Sequence, residues 1–200
     1  TEKIAVYPAG SGTMSKCLIV TGGGRGIGAE VSRKAAKQGY SVCVNFHRDQ
    51  TSAQKLVREL EENGANALAY QADVSREEEV EALFQTVEKH LGPPKALVNN
   101  AGILRDRTIF NMEDSDWDAV IAVHLKGHYC CTRPFAQYIR EQNRTGCRII
   151  NFSSVSGLYG NFGQANYGAA KAGIAGFSRV IALELAKYGC TSNTISPGAL

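Results

Sequence analysis

The stretch from Thr21 to Val31, TGGGRGIGAEV, decides the fold of this chain. It follows the apolar run CLIVT (17–21) and leads into a segment with helical periodicity. Glycines suit such a turn because the backbone must adopt unusual angles and approach a phosphate with no Cβ in the way. The start of a helix then offers free N–H groups and a partial positive charge to that phosphate. The pattern predicts a strand, a phosphate-binding turn and a helix.

The spacing of the glycines can be interpreted in two ways. The pattern G-x-x-x-G-x-G fits Gly22, Gly26 and Gly28 and starts directly after the strand. The common dinucleotide pattern G-x-G-x-x-G/A fits Gly24, Gly26 and Ala29, but it places the turn too late. We therefore favour the first spacing, and the alternative to both is a tight strand-to-helix turn that binds nothing.

Short β-branched runs alternate with longer helical segments along the rest of the chain. This alternation predicts an α/β fold in which a doubly wound parallel sheet of the Rossmann type has helices on both faces. Ligands of such sheets bind at the carboxyl ends of the strands. The predicted strands are 17–21, 41–46, 67–72, 96–100, 147–152 and 191–196, and the predicted helices are 26–38, 50–63, 76–90, 115–142 and 164–188.

Composition limits the classes of protein that this sequence fits. The 200 residues are 44% hydrophobic and carry a net charge of +3, with no block of basic residues. These values predict one domain over residues 15–200 and disfavour nucleic acid or a membrane as a partner. No apolar run approaches the roughly 20 residues of a membrane span, so we expect a cytoplasmic or organelle-matrix location.

The N-terminal residues and the cysteines give two further predictions. Residues 1–14 are rich in Gly, Ser and Pro up to Met14, which predicts either a native tail or an added leader before a start at Met14. The six cysteines lack metal-ligand spacing, so we expect buried reduced thiols and no metal site.

The end of the second predicted strand bears on the choice of nicotinamide cofactor. An acidic residue there bonds the adenosine ribose of NAD, whereas cations accept the 2′-phosphate of NADP. Here Asn45 and Arg48 end the strand, Arg25 is expected nearby, and Asp49 lies where it would cap the next helix. The sequence therefore favours NADP over NAD.

The segment NYGAAKAGI (166–174) places Tyr167 and Lys171 four residues apart, on one face of a helix. A phenol has a pKa of about 10 in water, and an ammonium within about 4–6 Å favours the phenolate. The pair can therefore act as an acid in carbonyl reduction or a base in alcohol oxidation. An ordinary surface pair is the alternative. Ser153, Ser154 and Ser156 follow the fifth strand and could hold the substrate oxygen.

Six motifs in this order and spacing resemble the short-chain dehydrogenase/reductase family, over residues 16 to 200. They are TGGGRGIG (21–28), ADV (72–74), NNAG (99–102), FSSVSG (152–157), YGAAK (167–171) and SPG (196–198). The resemblance implies that Tyr167 is the catalytic acid/base, that Ser154 orients the substrate carbonyl and that Lys171 assists both the tyrosine and the nicotinamide ribose. Ser153 and Ser156 are then structural. The implied cofactor-binding set is Thr21, Gly22, Arg25, Gly26, Ile27, Gly28, Asn45, Arg48, Asp73, Val74, Asn99, Ala101, Gly102, Tyr167, Lys171, Pro197 and Gly198.

Two features depart from the family pattern. His124 stands where the family usually has an asparagine that helps hold a water relay to the lysine. It is expected either to join that relay as a catalytic residue or to be a structural histidine whose backbone carbonyl serves it. The chain also ends at Leu200, before the family's substrate lid and last strand. This predicts either a fragment of a longer protein or a minimal core with impaired turnover.

The resulting hypothesis is an NADP(H)-dependent oxidoreductase that acts on a small carbonyl/alcohol substrate. The resemblance to 3-oxoacyl reductases, and to the 3-hydroxyacyl-CoA dehydrogenase domain of multifunctional enzymes, makes a 3-oxoacyl thioester the favoured substrate. A non-catalytic dinucleotide-binding or assembly subunit is the alternative. A homodimer or homotetramer is also expected, because helices 115–142 and 164–188 carry apolar residues beyond one core-facing stripe, namely Tyr129, Phe135, Ile174 and Phe177. The resemblance implies pairing through those helices, and the alternative is that both are covered within the monomer.

Overall fold

A computed structural model describes residues 16–198 of the chain. The prediction of a tail or leader over residues 1–14 therefore lies outside the described residues. The strands are β1 (Lys16–Val20), β2 (Tyr40–Phe46), β3 (Ala67–Gln71), β4 (Pro94–Asn99), β5 (Arg148–Phe152) and β6 (Thr191–Ile195). The α-helices are α1 (Gly26–Lys37), α2 (Gln50–Glu62), α3 (Glu77–Leu91), α4 (Asp114–Ile121), α5 (Gly127–Glu141), α6 (Ser156–Tyr159) and α7 (Ala165–Leu185).

The six strands form one parallel sheet in the order β3-β2-β1-β4-β5-β6. The chain moves outward from β1 to β3, then crosses to β4 and moves outward on the other side. This reversal creates a crevice between the carboxyl ends of β1 and β4, which is where such sheets bind ligands. The predicted doubly wound Rossmann-type sheet is confirmed.

Apolar side chains cover both faces of the sheet. On one face α1 and α2 contribute Ala29, Leu56 and Leu60 to a buried cluster with β1 and β2. On the other face α3, α5 and α7 pack over the sheet through a second cluster that includes Phe135. All six cysteines are buried and free, as the sequence predicted. A thiol in such a position behaves as a small apolar side chain.

The prediction that Phe135 and Ile174 lie outside the core is wrong. Both side chains are fully buried, because α5 and α7 each present more than one narrow stripe to the sheet and to neighbouring helices. Tyr129 remains exposed and Phe177 is half-buried, and both line the groove between α5 and α7.

The predicted single helix 115–142 contains a break in its hydrogen-bond pattern. Between α4 and α5 the residues Ala122–Lys126 form a turn of π-helix. The wider turn changes which carbonyl each N–H group meets, and such turns often occur at functional sites. His124 lies in the middle of this π turn.

A buried polar network joins the second half of the sheet. Asn99 of β4 donates to Thr132 Oγ1 (3.2 Å) and to Asn151 Oδ1 (3.0 Å) of β5. Asn151 in turn donates to Ser178 Oγ of α7 and Ser192 Oγ of β6, each at 3.1 Å. These bonds fix the strands and α7 relative to one another.

Among the described helices, none is long and apolar enough to cross a bilayer.

Candidate active site

The glycine turn after β1 leaves room for a large group at the start of α1. Gly22 and Gly26 have φ values of +59° and +53°, which L side chains rarely adopt. A Cβ on Gly28 would lie 2.5 Å from the carbonyl oxygen of Gly22, whereas a Cβ on Gly26 would meet no atom within 4 Å. The turn therefore packs tightly against the protein at Gly28 but leaves open space above Gly26, as a phosphate-binding site requires.

Thr21 and Asn100 connect this turn to the end of β4. The Thr21 hydroxyl accepts from the main-chain N–H groups of Asn100 (2.9 Å) and Ala101 (3.0 Å). The Asn100 side chain donates to the carbonyl oxygens of Thr21 (3.0 Å) and Gly22 (3.1 Å). Asn100 was not singled out from the sequence, although it lies in the NNAG motif. The two strand ends that border the crevice are thus held together.

Asn45 supports the glycine turn from the side of β2. Its side chain is buried, accepts from the Gly22 N–H (3.3 Å) and donates to the carbonyl of Ala72 (3.0 Å). These bonds engage the amide within the protein, so the Asn45 side chain shapes the glycine turn.

Cations border the end of β2. Arg25 is the residue before α1, and both its side chain and that of Arg48 are exposed. Asp49 caps α2, since its carboxylate accepts from the Ser52 N–H at 3.0 Å, as the sequence predicted. That hydrogen bond, with the charge of Arg25, lowers the pKa of Asp49. The carboxylate is therefore engaged by its own helix.

Asp73 and Val74 follow β3 at the same edge. The Asp73 carboxylate accepts from the N–H (2.9 Å) and hydroxyl (2.7 Å) of Ser75. Burial raises the pKa of Asp73, but these bonds and the nearby His47 and Arg76 outweigh burial, so the pKa is lowered. Val74 is buried, and a Cβ on Gly127 would lie 2.8 Å from its Cγ2. The segment is firmly packed beside α5.

Tyr167 and Lys171 lie together in the first turns of α7. The Lys171 Nζ is 5.4 Å from the centre of the Tyr167 ring and donates to the carbonyl oxygen of Phe152 at 2.5 Å. Lys171 is only 4% exposed, and burial lowers the pKa of its ammonium to about 8. Phe152 ends β5, so this bond fixes the lysine at the carboxyl edge of the sheet. The expected proximity of the phenol and the ammonium is present.

The serine loop after β5 packs directly on α7. The Ser153 hydroxyl donates to the Lys171 carbonyl at 2.7 Å, and Ser154 Oγ accepts from the Ser156 N–H at 3.2 Å. A Cβ on Gly157 would lie 2.7 Å from the backbone of Lys171 and Ala172. Ser153 is thus a structural residue, while the hydroxyl of Ser154 retains a proton to donate.

His124 contacts both the tyrosine and the loop after β4. Its ring meets that of Tyr167 edge-on, with centres 5.1 Å apart and planes at 85°. Its Nε2 lies 3.0 Å from the main-chain nitrogen and 2.8 Å from the main-chain oxygen of Ile103. A Cβ on Gly102 would lie 2.4 Å from its Cε1. Burial, together with the charge of Lys171, lowers the pKa of His124 to about 4, so the ring is neutral.

Two residues that the sequence analysis did not single out complete this side of the site. His128 is buried, and its Nδ1 donates to the His124 carbonyl at 2.5 Å. Asn166 is also buried and donates to the carbonyls of Arg105 (2.9 Å) and Asp116 (3.1 Å). Asn166 therefore anchors the start of α7 beside Tyr167. Neither residue forms a motif by itself, so the signal was only its position next to one.

The remaining predicted positions lie near the crevice. The side chain of Asn99 is directed into the buried network, and Ala101 contacts the glycine turn, where a Cβ on Gly22 would lie 2.9 Å from its Cα. Ile27 packs with the α1–α2 side of the core. Pro197 accepts from the Val155 N–H at 3.1 Å, and Gly198 is exposed. The predicted positions in the loops after the strands therefore lie at the carboxyl edge of the sheet, whereas the side chains of Ile27 and Asn99 pack within the protein.

Comparison with known proteins agrees with this arrangement. The family model for short chain dehydrogenases matches residues 16–200. A 3-oxoacyl-acyl-carrier-protein reductase of Synechocystis sp. is 43% identical over 184 residues, which are 92% of this chain and 74% of that protein. A reductase of the same name from Staphylococcus aureus is 42% identical over 185 residues, again 92% of this chain and 74% of the relative.

A solved structure gives the same result for the fold. The crystal structure of a short chain dehydrogenase from Mycobacterium avium superposes with a TM-score of 0.88 at 42% identity, covering 94% of this chain and 69% of that one. The chain belongs to the short-chain dehydrogenase family, a family of oxidoreductases. The open glycine turn and the tyrosine–lysine pair at one sheet edge are the parts that this chemistry needs.

Proposed function

We propose that this protein is an NADP(H)-dependent oxidoreductase that reduces the carbonyl of a 3-oxoacyl thioester to a secondary alcohol, or catalyses the reverse reaction. The observation that carries the proposal is the pairing of Tyr167 with the buried ammonium of Lys171, whose Nζ lies 5.4 Å from the ring centre. The phenol of Tyr167 beside the ammonium of Lys171, near the glycine turn, suits proton delivery to a carbonyl that is being reduced.

The protein's own groups would act as follows. The Ser154 hydroxyl donates to the substrate carbonyl oxygen and holds it within reach of Tyr167. Tyr167 gives its phenolic proton to that oxygen as the alcohol forms, and the Lys171 ammonium stabilises the phenolate left behind. In the alcohol-oxidising direction the phenolate takes the proton back. A nicotinamide dinucleotide, when bound, supplies or accepts the hydride.

The residues around the crevice fit such a dinucleotide. The open space above Gly26 and the free end of α1 suit its phosphates. Asp73 and Val74 would flank the adenine, and Lys171 would bond the nicotinamide ribose. Arg25 and Arg48 are exposed cations at the end of β2, while Asp49 is engaged as a helix cap. This arrangement supports NADP over NAD.

Exposed apolar side chains beside the site support an acyl substrate. The loops after β4 and β5 lie side by side, since Arg107 N–H donates to the Gly163 carbonyl at 2.9 Å. They carry several exposed large apolar residues, namely Leu104, Ile109, Phe110, Leu158, Tyr159 and Phe162. The relatives named as 3-oxoacyl-acyl-carrier-protein reductases support the same substrate class.

Self-association and a cytoplasmic or organelle-matrix location complete the proposal. The outer faces of α5 and α7 carry exposed Tyr129, Val180 and Leu183, and the groove between these helices has a volume of about 310 Å³. An apolar face of this kind supports a homodimer or homotetramer paired through α5 and α7.

The test is the loss of absorbance of the reduced nicotinamide with acetoacetyl-CoA as substrate. We expect turnover with NADPH to exceed turnover with NADH. Tyr167→Phe should lower turnover with NADPH by about 10³-fold, because the phenolic proton is lost. The control is NADPH binding by Tyr167→Phe, measured by calorimetry, which should be retained. Binding by the wild type without turnover of any 3-oxoacyl thioester would instead support the alternative, a non-catalytic binding subunit.

A further inference from the structure

Two buried histidines lie behind the tyrosine, and the mechanism above uses neither. His124 and His128 are each 2% exposed and lie one turn apart around the π turn. A carbonyl oxygen can only accept, so the 2.5 Å contact between His128 Nδ1 and the His124 carbonyl requires a proton on that nitrogen. His128 therefore fixes the main chain of His124 from inside the helix.

The ring of His124 reaches three parts of the site at once. It meets the Tyr167 ring edge-on, its Nε2 bonds the main chain of Ile103, and its Cε1 abuts Gly102. In either neutral tautomer Nε2 has a partner on Ile103, because both the N–H and the carbonyl of that residue are within 3.0 Å. The imidazole thus fills the space between α7 and the loop after β4.

Gly102 is fitted to this ring. The three atoms nearest to a Cβ built on Gly102 all belong to the His124 imidazole, the closest at 2.4 Å. Main chain and ring are therefore in close contact, so a shift of one must move the other. Burial and the nearby charge of Lys171 keep the His124 ring neutral, so it can fill this space without adding a second positive charge.

We propose that His124 and His128 are positioning residues, in which His128 fixes the π turn and the His124 ring holds Tyr167 and the Gly102–Ile103 main chain in register. The proposal rests on the proposed reductase function for its kinetic consequences. Its structural content, the coupling between α7 and the loop after β4, can be measured without activity.

The kinetic test uses the intact chain with NADPH and acetoacetyl-CoA. We expect His124→Ala to lower kcat by about 10- to 100-fold with KM within about twofold, because misplacement by about 1 Å costs up to that much. His128→Phe keeps an aromatic ring, although a larger one, but loses the N–H donor, and should lower kcat by about tenfold. His128→Asn, which can still donate to the carbonyl, should recover part of that loss. His90→Asn on α3 is the matched control.

A double substitution tests the contact with Gly102 directly. Gly102→Ala should displace the His124 ring and lower kcat strongly. Adding His124→Ala removes the colliding ring, so the double variant should be more active than Gly102→Ala alone. Additive losses would overturn the proposal.

A readout without turnover separates this proposal from the reductase assignment. Hydrogen exchange should rise in peptides covering 101–104 and 165–172 for His124→Ala and His128→Phe, and remain at the wild-type level for His90→Asn. If the wild type reduces no thioester yet exchange rises as described, the positioning role stands and the reductase assignment fails. Unchanged exchange, or equal losses of kcat, KM and thermal stability, would overturn the positioning role.

Discussion

The glycine turn after β1 and the first turns of α7 lie at the same edge of the sheet, but they are built in opposite ways. At the turn, Thr21, Asn45 and Asn100 satisfy the main chain of the neighbouring strand ends. Around the first turns of α7, by contrast, the ammonium of Lys171 and the imidazoles of His124 in the π turn and His128 in α5 are buried, and His124 Nδ1 has no hydrogen-bond partner among residues 16–198. The turn is shaped by hydrogen bonds to its main chain, whereas the surroundings of Tyr167 hold buried titratable groups.

Removal of the buried ammonium of Lys171 should give the largest effect and tests the contrast between the two regions most directly. We expect Lys171→Met to lower turnover about 10³-fold while leaving the free energy of unfolding equal or about 1 kcal/mol higher, because a desolvated charge is lost. Burial lowers the lysine's pKa to about 8, so the folded state holds this proton less tightly than the unfolded state and the charge destabilises the fold at pH 7.

Urea unfolding and NADPH oxidation measure the two quantities on the same samples. Lys187→Met, an exposed lysine that follows α7, is the matched control and should change neither. A loss of stability in Lys171→Met as large as that of a buried core truncation would show that the lysine is structural.

The turn should respond in the reverse manner, with a loss of binding and of stability together. Gly28→Ala places a Cβ 2.5 Å from the Gly22 carbonyl, so we expect NADPH affinity to fall about 30-fold and stability by about 2 kcal/mol. Gly176→Ala on α7 is the control, because a Cβ there meets no atom within 4 Å and should be neutral or stabilising by up to about 1 kcal/mol. Calorimetry and urea midpoints decide, and equal affinities for the two variants would contradict the cradle.

A smaller effect is expected from acid. Burial lowers the pKa values of His124 and His128 to about 4 and about 3, so between those values and about 6.5 the unfolded state binds more protons than the folded state. Stability is therefore highest above pH 6.5 and falls on acidification, by about 1.4 kcal/mol per pH unit for each histidine. Urea midpoints at pH 7.5, 6.5 and 5.5 measure the slope. His128→Phe should make this pH dependence shallower. An unchanged slope in that variant would show that His128 does not contribute to the loss of stability in acid.

The same contrast explains what the sequence could predict. The strands, the glycine turn and the tyrosine–lysine pair were predictable because each follows from residue types at fixed spacing. The π turn at Ala122–Lys126 was not, because the apolar periodicity of 115–142 runs through it unchanged. The four-residue helix Ser156–Tyr159 is too short to show a period.

The partners of the site residues were also beyond the sequence. Asn166 bonds the main chain of Arg105 and Asp116, which lie 61 and 50 positions away. His128 meets the main chain of His124 beside the π turn. In both cases the side chain bonds to backbone, and a backbone carbonyl leaves no mark in a residue pattern. Only the folded chain places these groups together.

The buried amides of Asn99 and Asn151 have a consequence for how the sheet is assembled. In a wrong alignment of β4, β5 and β6, these amides would face apolar neighbours without partners, and each lost bond costs about 1–3 kcal/mol. Apolar strands alone would tolerate a slip of two residues, since the same faces would remain inward. We therefore expect the network to favour one alignment of β4, β5 and β6, and with it one position of Phe152, whose carbonyl accepts from Lys171.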